Sequence, residues 1–182
     1  MPYVTVFAGP NGSGKSSATR TAVITGRYIN ADEIKKEKGC SDMEAAVEAE
    51  RQREVCLKQQ EDFTFETVLS TNRNLDLLRR AKIDGYKIHA FYITTADPEL
   101  NALRVAQRVA AGGHDVPREK IISRYHRSME NIHSLYELAN SFVLYDNTMT
   151  APLILAEKKY GETMIFPNDL WSEESIRRLL EP

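Results

Sequence analysis

The sequence predicts an α/β fold in three layers, with helices on both faces of a mostly parallel sheet. Two observations support this prediction. Short runs rich in β-branched and aromatic residues alternate with helical segments along most of the chain. The first run also ends abruptly in a glycine-rich loop that opens a helix. Strands that alternate with helices pair in parallel through right-handed crossovers, so we expect a single sheet.

Length and composition favour one domain over residues 1–182. The chain has 182 residues, a net charge of −2 and 42% hydrophobic residues, which excludes a disordered chain. A charge so close to zero argues against a dedicated nucleic-acid binder. Neither a signal peptide nor an apolar run long enough for a membrane helix is evident, so we expect a soluble cytoplasmic protein without a membrane partner.

The amino-terminal half alternates strands and helices regularly. The Ser41-Asp42-Met43-Glu44 segment has the form of a capping box and opens the longest helix of this half. In order, we predict a strand over 3–8, a helix over 15–25, a strand over 27–30, a helix from 41 to about 60, a strand over 63–68 and a helix over 72–84.

The second half adds a helical excursion to the same pattern. An almost continuously apolar strand over 87–94 comes first, and Asp97-Pro98-Glu99 is a strong helix start. We predict helices from 97 to about 111 and from 117 to about 140, a strand over 142–145, extended runs over 153–156 and 163–166, and a terminal helix capped by Ser172. The two helices within about 97–140 would form a lid over the sheet edge.

The glycine-rich loop matches the phosphate-binding pattern G-x-x-x-x-G-K-[ST] in full, between a buried strand and a helix. Its glycines let successive backbone N–H groups converge on phosphate oxygens, and the helix presents its positive end to the same anion. Lys15 can reach the β- and γ-phosphates, and Ser16 can bind Mg²⁺. An ordinary glycine-rich turn is the alternative. The predicted nucleotide-binding residues of this segment are Gly9, Pro10, Asn11, Gly12, Ser13, Gly14, Lys15, Ser16 and Ser17.

Two carboxylates are expected beside this loop. Asp32 follows the second strand, where it could accept a proton from an attacking hydroxyl. Its alternative role is to cap the next helix. Glu66 lies near the carboxyl end of the third strand, where it could contact a substrate hydroxyl or the Mg²⁺ shell. A salt bridge or a solvent-facing edge position is the alternative for Glu66.

Arginines are concentrated in the helical excursion. Arg104 and Arg108 share one helix face, and Arg124, Arg127 and Asn131 share another. Arginine stays charged and binds phosphate oxygens bidentately, so these side chains could close over a transferred phosphate and exclude water. Ion pairing on solvated helix faces is the alternative.

Two further positions have open interpretations. His114 lies in the Gly-Gly-His turn between the two lid helices, where it could contact the substrate or fix the turn through a backbone hydrogen bond. Asn147 follows the fifth strand, where it could contact the nucleotide base or form an Asx turn.

Several motifs together resemble the zeta toxin family of kinases. They are residues 8–17, Ile29-Asn30-Ala31-Asp32-Glu33-Ile34 and Phe65-Glu66-Thr67, followed by residues 108–117, 124–128 and 145–147, which resemble its smaller, zeta-like branch. The resemblance implies an ATP-dependent kinase that phosphorylates the sugar 3′-hydroxyl of UDP-N-acetylglucosamine, with an antitoxin as a possible partner. It implies Asp32 as the base, Glu66 and Thr67 as substrate contacts, and one or two of Arg108, Arg124 and Arg127 at the transferred phosphate.

We therefore predict an ATP- and Mg²⁺-dependent kinase acting on a small molecule. One alternative is a kinase of another acceptor, such as a nucleoside, a sugar or a nucleic-acid end. The other is a nucleotide-binding module without transfer activity, for which the polar helix over 43–60 would be a partner surface.

Overall fold

The computed structural model describes residues 1–113 and 115–181. Its strands are β1 (Tyr3–Ala8), β2 (Arg27–Ile29), β3 (Phe63–Thr67), β4 (Lys87–Thr94), β5 (Ser141–Asp146), β6 (Leu153–Lys159) and β7 (Glu162–Ile165). Its helices are α1 (Lys15–Thr21), α2 (Ala31–Lys38), α3 (Asp42–Gln59), α4 (Arg73–Ile83), α5 (Pro98–Ala110), α6 (Arg118–Glu130), α7 (Ile132–Leu138) and α8 (Glu173–Leu180).

The described strands form one sheet in the order β2-β3-β1-β4-β5-β6-β7. The pairings among β2, β3, β1, β4 and β5 are parallel, whereas β6 and β7 are added antiparallel. The predicted α/β fold with a mostly parallel sheet is therefore confirmed. Because the carboxyl ends of parallel strands meet at one edge, the loops that follow β1, β2, β3 and β5 lie together there.

The main hydrophobic core lies on one face of the sheet. Val4, Val6 and Ile88 are fully buried there, and helices α4 and α7 contribute the fully buried Leu78 and Leu135. Alternate strand residues point to this face because the side chains of a strand alternate. Helix α3 adds smaller buried residues, Ala45 and Ala49, to the same core.

The opposite face is covered more sparingly. The seven-residue helix α1 lies over it, beside the stacked rings of Phe7 and Phe91, whose centroids are 4.9 Å apart. Helix α1 was expected to reach residue 25, but Ala22 has extended backbone angles and ends the helix. The β-branched residues that follow, Ile24 and Thr25, favour that extended backbone. A short α1 leaves room for a cavity on this face.

The prediction of a single helix over 117–140 is wrong, because this segment forms two helices, α6 and α7, with a break at Asn131. The Asn131 side chain donates a hydrogen bond to the Leu69 carbonyl at 2.8 Å, which anchors the break to the loop after β3. The two helices pack into different hydrophobic clusters on either side of the break. Ile121 of α6 packs against α5, whereas Ile132 of α7 belongs to the main core. Across residues 1–113 and 115–181, no helix combines the length and apolar character needed to cross a membrane.

Candidate functional site

The glycine-rich loop after β1 is held on both sides by asparagines. The Asn101 amide of α5 donates to the Asn11 carbonyl at 2.8 Å, and the Asn147 amide donates to the Ser13 carbonyl at 2.7 Å. The loop passes so close to α5 that a Cβ atom at Gly12, where φ is +77°, would lie 2.4 Å from the Asn101 carbonyl oxygen. The two hydrogen bonds and this close approach therefore fix the shape of the loop.

The Lys15 ammonium lies inside this loop, where its Nζ donates to the Pro10 carbonyl at 2.8 Å. Desolvation by burial lowers the pKa of Lys15 to about 8. The carboxylates of Glu66 and Asp32 act in the opposite direction, and the Arg108 guanidinium adds to the lowering. The charges of all three side chains therefore act on the Lys15 ammonium.

Glu66 accepts hydrogen bonds from three hydroxyl groups. Ser16 Oγ donates to its Oε2 at 3.0 Å, while Thr19 Oγ1 and the Tyr28 hydroxyl donate to its Oε1 at 2.7 Å and 2.6 Å. Burial and the bond to Glu66 raise the pKa of Tyr28 to about 12, so this tyrosine stays a donor. Glu66 is therefore neither a salt-bridge partner of the usual surface kind nor a side chain left to solvent.

Asp32 lies in the first turn of α2 and is exposed, facing the cavity. The alternative that Asp32 caps this helix is wrong, because Asn30 holds the N-cap position and accepts from the Asp32 N–H at 2.8 Å. The Asn30 amide also donates to the Tyr28 hydroxyl at 2.9 Å. A chain of hydrogen bonds through Asn30 and Tyr28 thus joins the backbone of Asp32 to Glu66.

A cavity of about 1060 Å³ contains these groups. The strand order divides it into two sides, because β3 and β2 lie on one side of β1 whereas β4 and β5 lie on the other. Asp32, Glu66 and Thr67 line the first side, and Arg104 and Tyr145 line the second. The glycine-rich loop lies between them. The carboxylates and the fifth strand's loop therefore face opposite ends of a ligand bound on that loop.

The structure brings only part of the predicted arginine set to the cavity. Arg104 and Arg108 line it. Arg127 is exposed and donates to the carbonyl and hydroxyl of Ser123 on its own helix, and neither it nor Arg124 is among the cavity-lining residues that the structure describes. The buried face of α6, with Ile121 and Tyr125, packs toward α5 and the sheet, and the two arginines lie outside that face.

Of the other predicted residues, some line the cavity and some have a different role from the expected one. Thr67 lines the cavity, but its hydroxyl accepts from the Leu69 N–H and the Asn74 amide, so it also shapes the loop after β3. Asn147 does not form the turn after β5, because Asp146 accepts from the Thr148 N–H there instead. Ser17 lines the cavity from α1. His114 lies outside the residues that the structure describes.

Sequence reasoning missed several residues of the site. Tyr28, Thr19 and Asn101 each bond to a predicted site residue. The bonds of Arg104 were missed as well, since this predicted arginine donates to the carbonyls of Asn147 and Thr148 at 2.8 Å and 3.1 Å. A tyrosine in a short strand and an asparagine inside an amphipathic helix carry no local signal of function. Only their position at the carboxyl edge of the sheet could have indicated them.

The polar groups at Ser16 fit a magnesium ion. In the described part of the chain, no group of three or more His, Cys, Asp and Glu side chains could hold a metal by itself. Magnesium at phosphate-transfer sites needs no such group, since one or two protein oxygens and the phosphates of the substrate complete its shell. The Ser16 hydroxyl and the Glu66 carboxylate, 3.0 Å apart, are oxygen donors of that kind.

Comparison with known sequences gives a family match. The family model described as Zeta toxin matches residues 30–169, which is more than half of the chain. A protein of Haemophilus influenzae, described as uncharacterized, is 29% identical over 125 residues, covering 65% of this chain and 89% of its own length.

Solved structures share the fold. A chain of the AvrRxo1-ORF1:AvrRxo1-ORF2 complex with sulphate ions has a TM-score of 0.74 at 16% identity and covers 99% of this chain. This chain spans only 64% of that relative's length. The same complex has been solved with ATP, with a TM-score of 0.70 at 17% identity, covering 91% of this chain and 60% of that one. A structure of the PezAT toxin-antitoxin system of Streptococcus pneumoniae has a TM-score of 0.59 at 16% identity, covering 100% of this chain and 88% of that one.

Proposed function

Because this chain belongs to the zeta toxin family, we propose that it is a kinase that uses ATP and Mg²⁺ to phosphorylate a hydroxyl group of a small molecule. One observation carries the proposal. A complete phosphate-binding loop with a half-buried lysine opens into the same cavity as the exposed carboxylate of Asp32 and the hydrogen-bonded carboxylate of Glu66. The solved complex of a fold relative with ATP supports the choice of nucleotide.

The triphosphate would lie on the loop from Gly9 to Ser17. Backbone N–H groups and the amino end of α1 attract its oxygens, and Lys15 adds a positive charge at the β- and γ-phosphates. Phosphate oxygens near the Lys15 amine stabilise its charged form and raise its pKa from about 8, so binding holds the lysine as an ammonium. Ser16 and Glu66 would hold Mg²⁺, which neutralises charge on the β- and γ-phosphates when it is bound.

Asp32 is the proposed general base. Its carboxylate takes the proton of the acceptor hydroxyl while the hydroxyl oxygen forms a bond to the γ-phosphorus, and the bond from that phosphorus to the β–γ bridging oxygen breaks to release ADP. Arg108 faces the cavity and is the proposed arginine for the charge on the transferred group. Arg124 and Arg127 do not line the cavity in the described part of the chain, so we assign this step to Arg108 alone.

For the acceptor we propose the sugar 3′-hydroxyl of UDP-N-acetylglucosamine. Family membership supports this choice, and the cavity side lined by Asp32, Glu66 and Thr67 offers polar groups for a sugar. We also propose an antitoxin protein as a partner, because the PezAT relative is described as a toxin-antitoxin system.

The first prediction concerns Asp32 and Lys15. We expect Asp32→Asn to lower phosphate transfer by about a thousandfold, the usual scale for loss of a general base, while ATP binding persists. Lys15→Ala should abolish detectable ATP binding. The measurement is transfer of labelled phosphate from γ-labelled ATP to UDP-N-acetylglucosamine and to a panel of other hydroxyl-bearing metabolites, with ATP affinity measured by calorimetry.

Glu33→Gln is the matched control, since Glu33 is an exposed carboxylate next to Asp32 on the same helix turn. It should leave transfer within about twofold of the parent. Normal turnover in Asp32→Asn would remove Asp32 as the base. Transfer to another metabolite only would correct the acceptor, and tight ATP binding with transfer to none would favour a nucleotide-binding module.

A further inference from the structure

The two carboxylate oxygens of Glu66 have different surroundings. Oε1 accepts from Thr19 Oγ1 at 2.7 Å and from the Tyr28 hydroxyl at 2.6 Å. A carboxylate oxygen has two lone pairs, so these two bonds occupy Oε1. In the described part of the chain, Oε2 accepts one bond, from Ser16 Oγ at 3.0 Å. Glu66 therefore presents a single oxygen, beside Ser16, to a ligand on the phosphate-binding loop.

Neighbouring residues fix the direction of the Tyr28 bond. The side-chain oxygen of Asn30 accepts from the Asp32 N–H at 2.8 Å, so the amide nitrogen of Asn30 is the group that faces Tyr28. That nitrogen can only donate, and it donates to the Tyr28 oxygen at 2.9 Å. The hydroxyl proton of Tyr28 is thus left for Glu66. Because Asn30 caps α2, the amino end of that helix sets the orientation of the Tyr28 hydroxyl.

A single available oxygen suits Mg²⁺ better than Ca²⁺. Mg²⁺ requires near-ideal octahedral geometry with ligands at about 2.0–2.1 Å, whereas Ca²⁺ takes about six to eight ligands and can bind both oxygens of one carboxylate. Two oxygens at right angles around Mg²⁺ lie about 2.9 Å apart, which matches the 3.0 Å between Ser16 Oγ and Glu66 Oε2. A Glu66 side chain that was free to turn could offer Oε1 as well, and so bind Ca²⁺ through both oxygens.

We propose that Tyr28 is a positioning residue that, together with Thr19, keeps Oε1 of Glu66 occupied, and that the nucleotide site consequently prefers Mg²⁺ to Ca²⁺. The inference rests on the proposed function, because it requires Glu66 beside the metal of a bound nucleotide. Tyr28 acts through Glu66 rather than by binding the metal. Hydrogen-bond partners of a metal ligand commonly change metal affinity by about ten- to a hundredfold when they are removed.

The test measures ATP affinity by calorimetry in three solutions, with Mg²⁺, with Ca²⁺ and with EDTA. We expect the parent to bind ATP most tightly with Mg²⁺. Tyr28→Phe removes only the hydroxyl, so it should weaken ATP binding with Mg²⁺ by about tenfold and leave binding with Ca²⁺ and with EDTA within about twofold of the parent. Tyr160→Phe is the matched control, because the Tyr160 side chain is 92% exposed at the turn between β6 and β7.

A second pair of variants acts on the same oxygen. Thr19→Val keeps the size of the side chain but removes the other hydroxyl that donates to Oε1, so it should lower the preference for Mg²⁺ over Ca²⁺ in the same direction. Thr19→Ser keeps a hydroxyl and should retain the preference of the parent. If Tyr28→Phe does not fold, these two variants decide whether occupation of Oε1 sets the choice of metal.

Three results would overturn the inference and leave the proposed function standing. The first is equal weakening of ATP in all three solutions by Tyr28→Phe, since Tyr28 would then only support the fold around the loop. The second is an unchanged ratio of the Mg²⁺ and Ca²⁺ affinities in that variant, and the third is equal affinity of the parent for ATP with the two metals. Failure of the parent to bind ATP in any of the solutions would instead overturn the proposed function itself.

Discussion

At the scale of single residues, the lowered pKa of Lys15 predicts an unusually reactive amine. Burial lowers its pKa to about 8, so about half of it is neutral, and nucleophilic, at that pH. We expect an amine-acylating reagent to label Lys15 with a steep rise from about pH 7 to about pH 9. ATP should suppress this labelling, because phosphates cover the amine and favour its charged form. Peptide mass spectrometry after short exposure measures it.

The exposed Lys58 of α3 is the internal control in the same digest, since it lies outside the cavity and ATP should not protect it. A midpoint for Lys15 above about pH 10 would contradict the buried position of the amine. Because the neutral form is favoured in the folded state, the same shift predicts that the contribution of Lys15 to folding stability rises with pH from about 8 to its ordinary pKa of 10.5.

The sequence could predict a residue only where local pattern determines its role. Lys15 and Ser16 belong to a motif whose spacing carries its own physics, and Glu66 is an acid at the end of a buried strand. Tyr28 could not be predicted, because its hydroxyl finds Glu66 only after β2 and β3 pair. Hydrogen-bond partners that are brought together by strand order cannot be predicted from local sequence patterns.

At the scale of elements, the phosphate-binding loop depends on its fit against α5. Gly12→Ala places a Cβ 2.4 Å from the Asn101 carbonyl oxygen, and neither backbone segment can yield without breaking the bond from Asn101 to Asn11. We expect this variant to lose ATP affinity by more than about tenfold and to unfold at a lower temperature. Calorimetry and thermal unfolding measure the two effects.

Gly39→Ala is the matched control for this prediction. Gly39 also has a positive φ, +61°, but a Cβ there would meet nothing within 4 Å. It should lower the free energy of unfolding by about 1 kcal/mol through backbone strain alone and leave ATP affinity unchanged. If Gly12→Ala behaves like Gly39→Ala, steric fit against α5 is not what shapes the loop.

Helix boundaries were predicted correctly where a local capping motif marks them, and incorrectly where tertiary packing ends the helix. Ser41 and Glu44 form the capping box expected from their spacing, and Pro98 opens α5 as predicted. The break at Asn131 has no such signal, since an asparagine is tolerated within a helix and its bond to Leu69 is a tertiary contact. The positions of Arg124 and Arg127 outside the cavity likewise follow from the packing of α6, which carries no local signal.

At the scale of the whole molecule, the helices α5 and α6 have a core of their own. Ala102, Val105 and Ile121 are buried together, apart from the main core of the sheet. Three buried residues provide far less apolar contact than the main core does. Side-chain hydrogen bonds tie the pair to the rest: the Tyr125 hydroxyl donates to the Thr95 carbonyl at 2.6 Å, the Ser128 hydroxyl donates to the Val68 carbonyl at 2.6 Å, and Arg104 and Asn101 reach the loops after β5 and β1. Because its apolar core is small and separate, we expect the pair to exchange amide protons through local opening while the sheet stays folded.

This arrangement predicts different outcomes for two core truncations. Leu78→Ala in the main core should lower the global free energy of unfolding by about 3 kcal/mol and speed amide exchange throughout the sheet. Ile121→Ala should speed exchange in α5 and α6 by more than about tenfold while β1 and β4 stay protected. Native-state hydrogen exchange measures both. If Ile121→Ala exposes β1 and β4 as strongly as Leu78→Ala does, the helix pair is part of the main cooperative unit, and a lid that moves independently over the cavity is excluded.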